Sequence, residues 1–200
     1  MERMDTHGQG CAQHGEKPTQ ILSAEHRVIE RVLDAVEELT RRPVGRSLER
    51  WKKALDFIRN FADQCHHCKE EEVLFPALER HGIPKEGGPV GMMLTEHEEG
   101  RSYVRGMAAA IAQIEAGEPS AATALFDNAQ CYLRLLREHI QKEDDVLFRM
   151  ADEVIPEAEQ RQLLQSFEAH EAEEMGAGAH EKYLQIAQDL ETAMQAPAGG

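Results

Sequence analysis

The chain should fold as an all-α protein, an up-down-up-down four-helix bundle followed by a helical hairpin. Three observations predict this. Glu, Ala, Leu, Gln and Arg are plentiful while Thr and aromatic residues are few, a composition that favours helix. Apolar residues recur at helical spacing along most of the 200 residues, and no segment alternates like a strand. Gly and Pro fall between the periodic stretches, where turns belong.

Residues 1–17 are polar and Gly-containing and read as a flexible tail carrying His7, Cys11 and His14. A first helix is expected from about Thr19 to Arg41, with Leu22, Ile29, Val32, Leu33, Val36 and Leu39 inward; Pro43 and Gly45 end it. Ser47 is a plausible N-cap for a second helix reaching His81, with Pro76 as a kink or an early end. The Gly- and Pro-rich stretch from Gly82 to Gly91 is a loop. The third helix is expected from Val90 to Ala116, closed by Gly117, and the fourth from Ser120 to Asp152. Pro156 suits the first turn of a fifth helix ending near Met175. Gly176 and Gly178 interrupt, and a sixth helix fits Ala179–Met194 before a frayed terminus. Residues 18–152 thus form the bundle and 153–200 the extension.

Composition excludes some functions. A formal net charge of −15 argues against a basic surface for nucleic acid or anionic membrane. No apolar run approaches a membrane span, and Met1-Glu2-Arg3-Met4-Asp5 shows no hydrophobic leader, so a cytoplasmic location is expected. Cys65 and Cys68 form a C-x-x-C inside a helical pattern, which fits small helix residues better than a redox pair.

The chemistry is carried by a repeat. His66-His67-Cys68-Lys69-Glu70-Glu71-Glu72-Val73-Leu74-Phe75 and His139-Ile140-Gln141-Lys142-Glu143-Asp144-Asp145-Val146-Leu147-Phe148 share His-x-x-Lys-Glu and a Val-Leu-Phe run. On a helix, His-x-x-x-Glu puts an imidazole and a carboxylate on one face. His26 falls on the apolar face of the first helix and His97 on that of the third, so each of four helices brings one histidine inward. A lone histidine on an apolar face is more often a satisfied core residue; four, one per helix, call for a metal, since buried ionisable groups must be paired or coordinated.

His67 lies about 100° round the helix from His66, at the edge of the inward face, poised between ligand and flank. Glu71, Glu72, Asp144 and Asp145 read as solvated flanks or as groups behind the ligands. Glu25, Glu96 and Glu138 each precede a candidate ligand histidine, and spacing turns them away, toward the surface. His170, paired with Glu174, fits the surface or a place behind the ligands. His81 and His180 carry no signal.

Four imidazoles and two carboxylates exceed one tetrahedral zinc and suit two six-coordinate ions, iron or manganese. Such a pair needs about twelve ligand bonds. Histidines and bridging glutamates supply about eight, and an oxo or hydroxo bridge about two more. The remainder falls to His67, water or a small ligand.

Glu25-His26, His66-x-x-x-Glu70, Leu74-Phe75-Pro76, Glu96-His97 and His139-x-x-x-Glu143 resemble the hemerythrin-like, or HHE cation-binding, family over about residues 18–152. The resemblance implies a non-haem di-iron centre with His26, His66, His97 and His139 as terminal ligands and Glu70 and Glu143 as bridges. Oxygen-carrying hemerythrins have His-x-x-x-His on the third helix, where this chain has Arg101 four residues after His97. Asp144 fits their fourth-helix Asp spacing, whereas Glu143 fits the repeat. Some family members ligate through the residue after the second-helix histidine, His67 here. The expected function is a di-iron protein that reacts with O2 or peroxide, in catalase- or peroxidase-like scavenging. The alternatives are binding or sensing of O2, NO or iron without turnover, and a structural bundle holding zinc.

Overall fold

The structure is a computed structural model that describes residues 16–174, 176 and 178–195. It is helical, with no strand among the described residues. The expected tail, with His7, Cys11 and His14, lies outside them apart from residues 16 and 17, and so do residues 196–200.

Helix α1 is Pro18–Thr40. Pro18 suits the first turn, where a missing N–H costs nothing, and the Lys17 amide donates to Gln20 Oε1 at 2.9 Å. Helix α2 is one rod over 44–80. It begins at Val44 rather than at Ser47, whose hydroxyl turns back onto the Pro43 carbonyl at 3.0 Å instead of capping. Pro76 neither ends nor breaks the rod. A π-helical turn, Glu70–Leu74, precedes it, and Pro76 falls in the first turn of the α-helical stretch that follows. Helix α3 is Pro89–Glu115. Gly88, just before it, is required by close approach, since a Cβ there would lie 2.0 Å from the Pro84 carbonyl oxygen. Gly117 closes α3 at φ 92°, open to glycine at no cost. Helix α4 runs over 122–154 with a π turn at Glu143–Leu147, after a short 3-10 turn at Pro119–Ala121. Helices α5, Glu157–Glu174, and α6, Ala179–Gln195, complete the chain; Pro156 stands just before α5 rather than inside it.

Two apolar clusters fill the interior. The first gathers Ile29 to Leu39 of α1, Trp51 to Ala62 of α2, Val104 to Ile111 of α3 and Leu125 to Ile140 of α4. The second gathers Leu22, Leu74 to Leu78, Met93, and Leu147 to Ile155. Along α1, His26 stands between Leu22 of the second cluster and Ile29 of the first. Along α2, His66 and Glu70 stand between Ala62 and Leu74; along α3, His97 stands between Met93 and Val104; along α4, Glu143 stands between Ile140 and Leu147. The histidine layer is therefore sandwiched between two dry regions. Helix α5 adds Leu163 and Phe167 to the second cluster, and α6 adds Tyr183, Ala187 and Leu190 to the first. No helix among the described residues is long and apolar enough to cross a membrane.

Candidate metal centre

All seven candidate ligands are brought together and buried: His26, His66, His67, Glu70, His97, His139 and Glu143. Their donor atoms form two groups, each within 4.8 Å: His26, His66, Glu70 and Glu143 in one, and His67, Glu70, His97 and His139 in the other. Glu70 lies between them, with Oε1 3.5 Å from His66 Nε2 and Oε2 3.5 Å from His97 Nε2. Glu143 Oε2 likewise stands 3.3 Å from His26 Nε2 and 3.2 Å from His139 Nε2. Glu143, not Asp144, is the carboxylate that points inward from α4.

His67 joins because of local helix geometry. Residues Ile58–His67 form a π-helical stretch, in which each residue turns less than the 100° of an α-helix. Two consecutive histidines can then share the inward arc. His67 is buried and stacks on His97 at a ring separation of 4.0 Å.

The Nδ1 atoms of His26, His66, His97 and His139 each turn outward to a carboxylate, and the four pairings run in a closed ring. Glu25 on α1 takes His66 of α2 at 2.9 Å. Glu71 on α2 takes His97 of α3 at 2.6 Å. Glu96 on α3 takes His139 of α4 at 2.9 Å. Asp144 on α4 takes His26 of α1 at 3.0 Å. A cation pins each carboxylate, and it comes from the helix whose histidine that carboxylate holds: Lys69 on Glu25, Arg101 on Glu71 at 2.7 Å, Lys142 on Glu96, and Arg27 on Asp144. Arg101 also bonds Asp63 at 2.9 Å, which lies 3.5 Å from His67 Nδ1. The expectation that Glu25 and Glu96 are surface charges is thus wrong. They face across the helix seam rather than outward, and Glu25 is almost wholly buried. Glu138 is exposed, as expected. Glu72 is largely exposed with one oxygen 3.4 Å from His170, Asp145 is exposed, and the Glu174 side chain lies outside the described residues. His180, which carries no signal in the sequence, lies 3.2 Å from Glu171.

The repeat's Phe residues act across the bundle: Phe148 stacks on His26 at 5.4 Å and Phe75 on His97 at 5.8 Å. Burial pushes His66 and His67 down to about 4 and His97 to about 3, so these imidazoles are neutral. His139 is buried too, but the Glu143 carboxylate raises it to about 9. Burial, then the Glu143 charge, raise Glu70 well above the carboxylate range. Burial opposes ionisation of Glu143 as well, yet His139 and His26 hold it low. Burial lifts the Cys65 thiol to about 12 and the Cys68 thiol to about 11, so neither offers a thiolate at neutral pH.

Both oxygens of Glu70, both oxygens of Glu143, and His26 and His66 Nε2 are buried without a hydrogen-bond partner. Native proteins rarely leave buried polar atoms unpaired, and here they converge on one region lined by nitrogen and carboxylate oxygen. With outer carboxylates fixing Nδ1, the inward Nε2 atoms are available to a cation. The donor set fits a metal pair.

The profile of the hemerythrin HHE cation binding domain matches residues 17–151. The chain is also similar to the uncharacterized protein Mb2018 of Mycobacterium bovis and the uncharacterized protein Rv1995 of Mycobacterium tuberculosis. With each it is 26% identical over 176 residues, covering 86% of this chain and 68% of the relative. No solved structure matches. With its profile spanning the four helices that carry the ring, this chain belongs to the hemerythrin HHE cation-binding family.

Proposed function

We propose that the centre holds two iron ions and reacts with O2 or peroxide. The observation that carries this is the pair of buried, unpartnered carboxylates, Glu70 and Glu143, set between two groups of inward imidazole nitrogens. His26 and His66 would hold one ion and His67, His97 and His139 the other, with Glu70 and Glu143 standing between the two groups. Nitrogen and oxygen donors at two adjoining sites suit iron, and manganese or zinc are the competing occupants. When bound, such a pair supplies electrons to, or takes them from, O2 or peroxide. The residues prepare the place for it. The carboxylate ring keeps each Nε2 lone pair inward, and the two apolar clusters exclude water. This reading takes the first four helices to run up-down-up-down, as the alternating order of the two clusters along them supports.

Purification without chelators, metal analysis and an optical spectrum test the centre, with about two irons per chain expected. Peroxide disproportionation by the iron-loaded protein, compared with Glu70→Ala, tests the reaction. A rate no greater than that of free iron refutes turnover. One contact favours a second reading, a sensor of O2, NO or iron: α5 reaches the shell of the centre through Glu171 and Lys69 at 3.1 Å. Stoichiometric ligand binding without turnover would select that reading.

A further inference from the structure

The four cations that pin the carboxylate ring are not equivalent. The side chains of Arg27, Lys142 and Arg101 are 55, 36 and 26% exposed, while Lys69 is 1% exposed. Lys69 and Lys142 are the same residue of the repeat and do the same thing, Lys69 on Glu25 and Lys142 on Glu96. Lys69 has a further carboxylate, Glu171 Oε2 of α5 at 3.1 Å. His180 Nδ1 of α6 stands 3.2 Å from Glu171 Oε1, an ion-pair approach without hydrogen-bond alignment. A continuous line of contacts therefore runs from the His66 ring through Glu25, Lys69 and Glu171 to His180. The matching line from His139 through Glu96 stops at Lys142, which has no second carboxylate among the described residues. A desolvated ammonium between two carboxylates is held far more firmly than an exposed ion pair.

We infer that Glu171 is a positioning residue of the metal centre. By fixing Lys69 it fixes the carboxylate that sets His66. Docking of α5 and α6 and occupancy of the His26–His66 half are thereby coupled. The inference rests on the metal-binding reading above. Losing the group directly behind a metal ligand costs about 10- to 100-fold in affinity. Glu171 acts two contacts further out, through Lys69 and Glu25, so no more than the low end, about tenfold, is expected. Coupling is reciprocal, so metal strengthens the docking of α5 by the same factor.

The test uses the full chain as wild type, Glu171→Gln, His180→Gln and Glu159→Gln. Glu159, in the first turn of α5, bonds Arg80 and His81 at 2.8 and 2.7 Å, so its variant removes a contact at the far end of α5 and leaves the Glu171–Lys69 contact in place. Each protein is titrated with ferrous iron under argon against a competing chelator. Amide exchange across α5 is followed with and without metal. Glu171→Gln is expected to release one of its two ions about tenfold more readily and to lose the metal-dependent protection of α5. His180→Gln should do the same in smaller measure, and Glu159→Gln should behave as wild type. Wild-type behaviour in Glu171→Gln, equal loss in Glu159→Gln, or a wild-type α5 indifferent to metal overturns the inference and leaves metal binding standing. A wild type that takes up no iron removes both.

Discussion

Replacing Glu70 by Met should make the metal-free protein more stable and the metal-loaded protein less stable. Glu70 is fully buried, and neither oxygen has a hydrogen-bond partner. Burial and the Glu143 charge oppose its ionisation. An unsatisfied buried polar group costs about 1–3 kcal/mol, and an unbranched Met of similar length removes that cost while keeping the helix. A gain of about 2 kcal/mol, at about 2–4 °C per kcal/mol for a chain of this size, raises Tm by about 4–8 °C. Metal reverses the order. At a thousandfold excess over Kd a bound ion stabilises the wild type by about 4 kcal/mol, whereas the variant has lost the carboxylate shared by both halves and gains little. Thermal unfolding followed by circular dichroism, with and without metal, reads both signs. If metal-free Glu70→Met melts below the metal-free wild type, Glu70 makes stabilising contacts in the folded chain and the reasoning fails.

Other outcomes follow from the same geometry. His67→Ala should cost the three-histidine half of the centre about 10-fold or more in affinity while the His26–His66 half keeps its ion, read by metal competition. Phe148→Ala, which removes the ring stacked on His26 and opens a cavity in the second cluster, should cost about 3–5 kcal/mol in denaturant unfolding. Cys65 should resist thiol reagents at neutral pH until the protein unfolds, as mass mapping would show; rapid labelling of the folded chain would contradict its burial. His180 and Lys69 depress Glu171 to about 2 against burial. A carboxylate lowered in the folded state stabilises above its unfolded pKa and loses that contribution as pH falls. The stability advantage of wild type over Glu171→Gln should therefore be greatest between about pH 5 and pH 6.5, shrink toward pH 2 as Glu171 gains a proton, and shrink again at higher pH as His180, raised by Glu171, loses its own; a pH-independent difference would speak against the pairing.

Helical period placed the six helices within a few residues of where they lie, and it put His26, His66, His97 and His139 on buried faces. It did so because each face is decided locally, by which positions repeat every three or four residues. Glu25 and Glu96 escaped the same reading because their partners are on another helix. Stepping 100° from His26 turns Glu25 off the centre of the bundle and onto the seam with α2, and nothing within α1 says that His66 waits there. A signal existed in the repeated Glu-His doublets, Glu25-His26 and Glu96-His97, and in the Lys conserved between the two copies of the repeat, which has no purpose until a carboxylate is placed beside it. The π turns were likewise out of reach. They depend on a shift in the hydrogen-bond ladder, and that shift moves His67 from the edge of the inward face to the middle of the site.

The order of the carboxylate ring has a consequence for how little chain is needed to specify it. Helices α1 and α2 contain a histidine with its acidic neighbour, the next histidine, the lysine, the shared glutamate and the acidic residue after it. Helices α3 and α4 contain the same parts in the same order. Glu25 serves His66 inside one half, and Glu71 serves the first histidine of the opposite half; Glu96 and Asp144 repeat the two moves. A pair of helices facing a rotated copy of itself would close the circle with no new part. The instructions for the whole centre fit in one helical pair, and His67 and Glu171, which have no counterpart in the other pair, are where this chain's own chemistry should be sought.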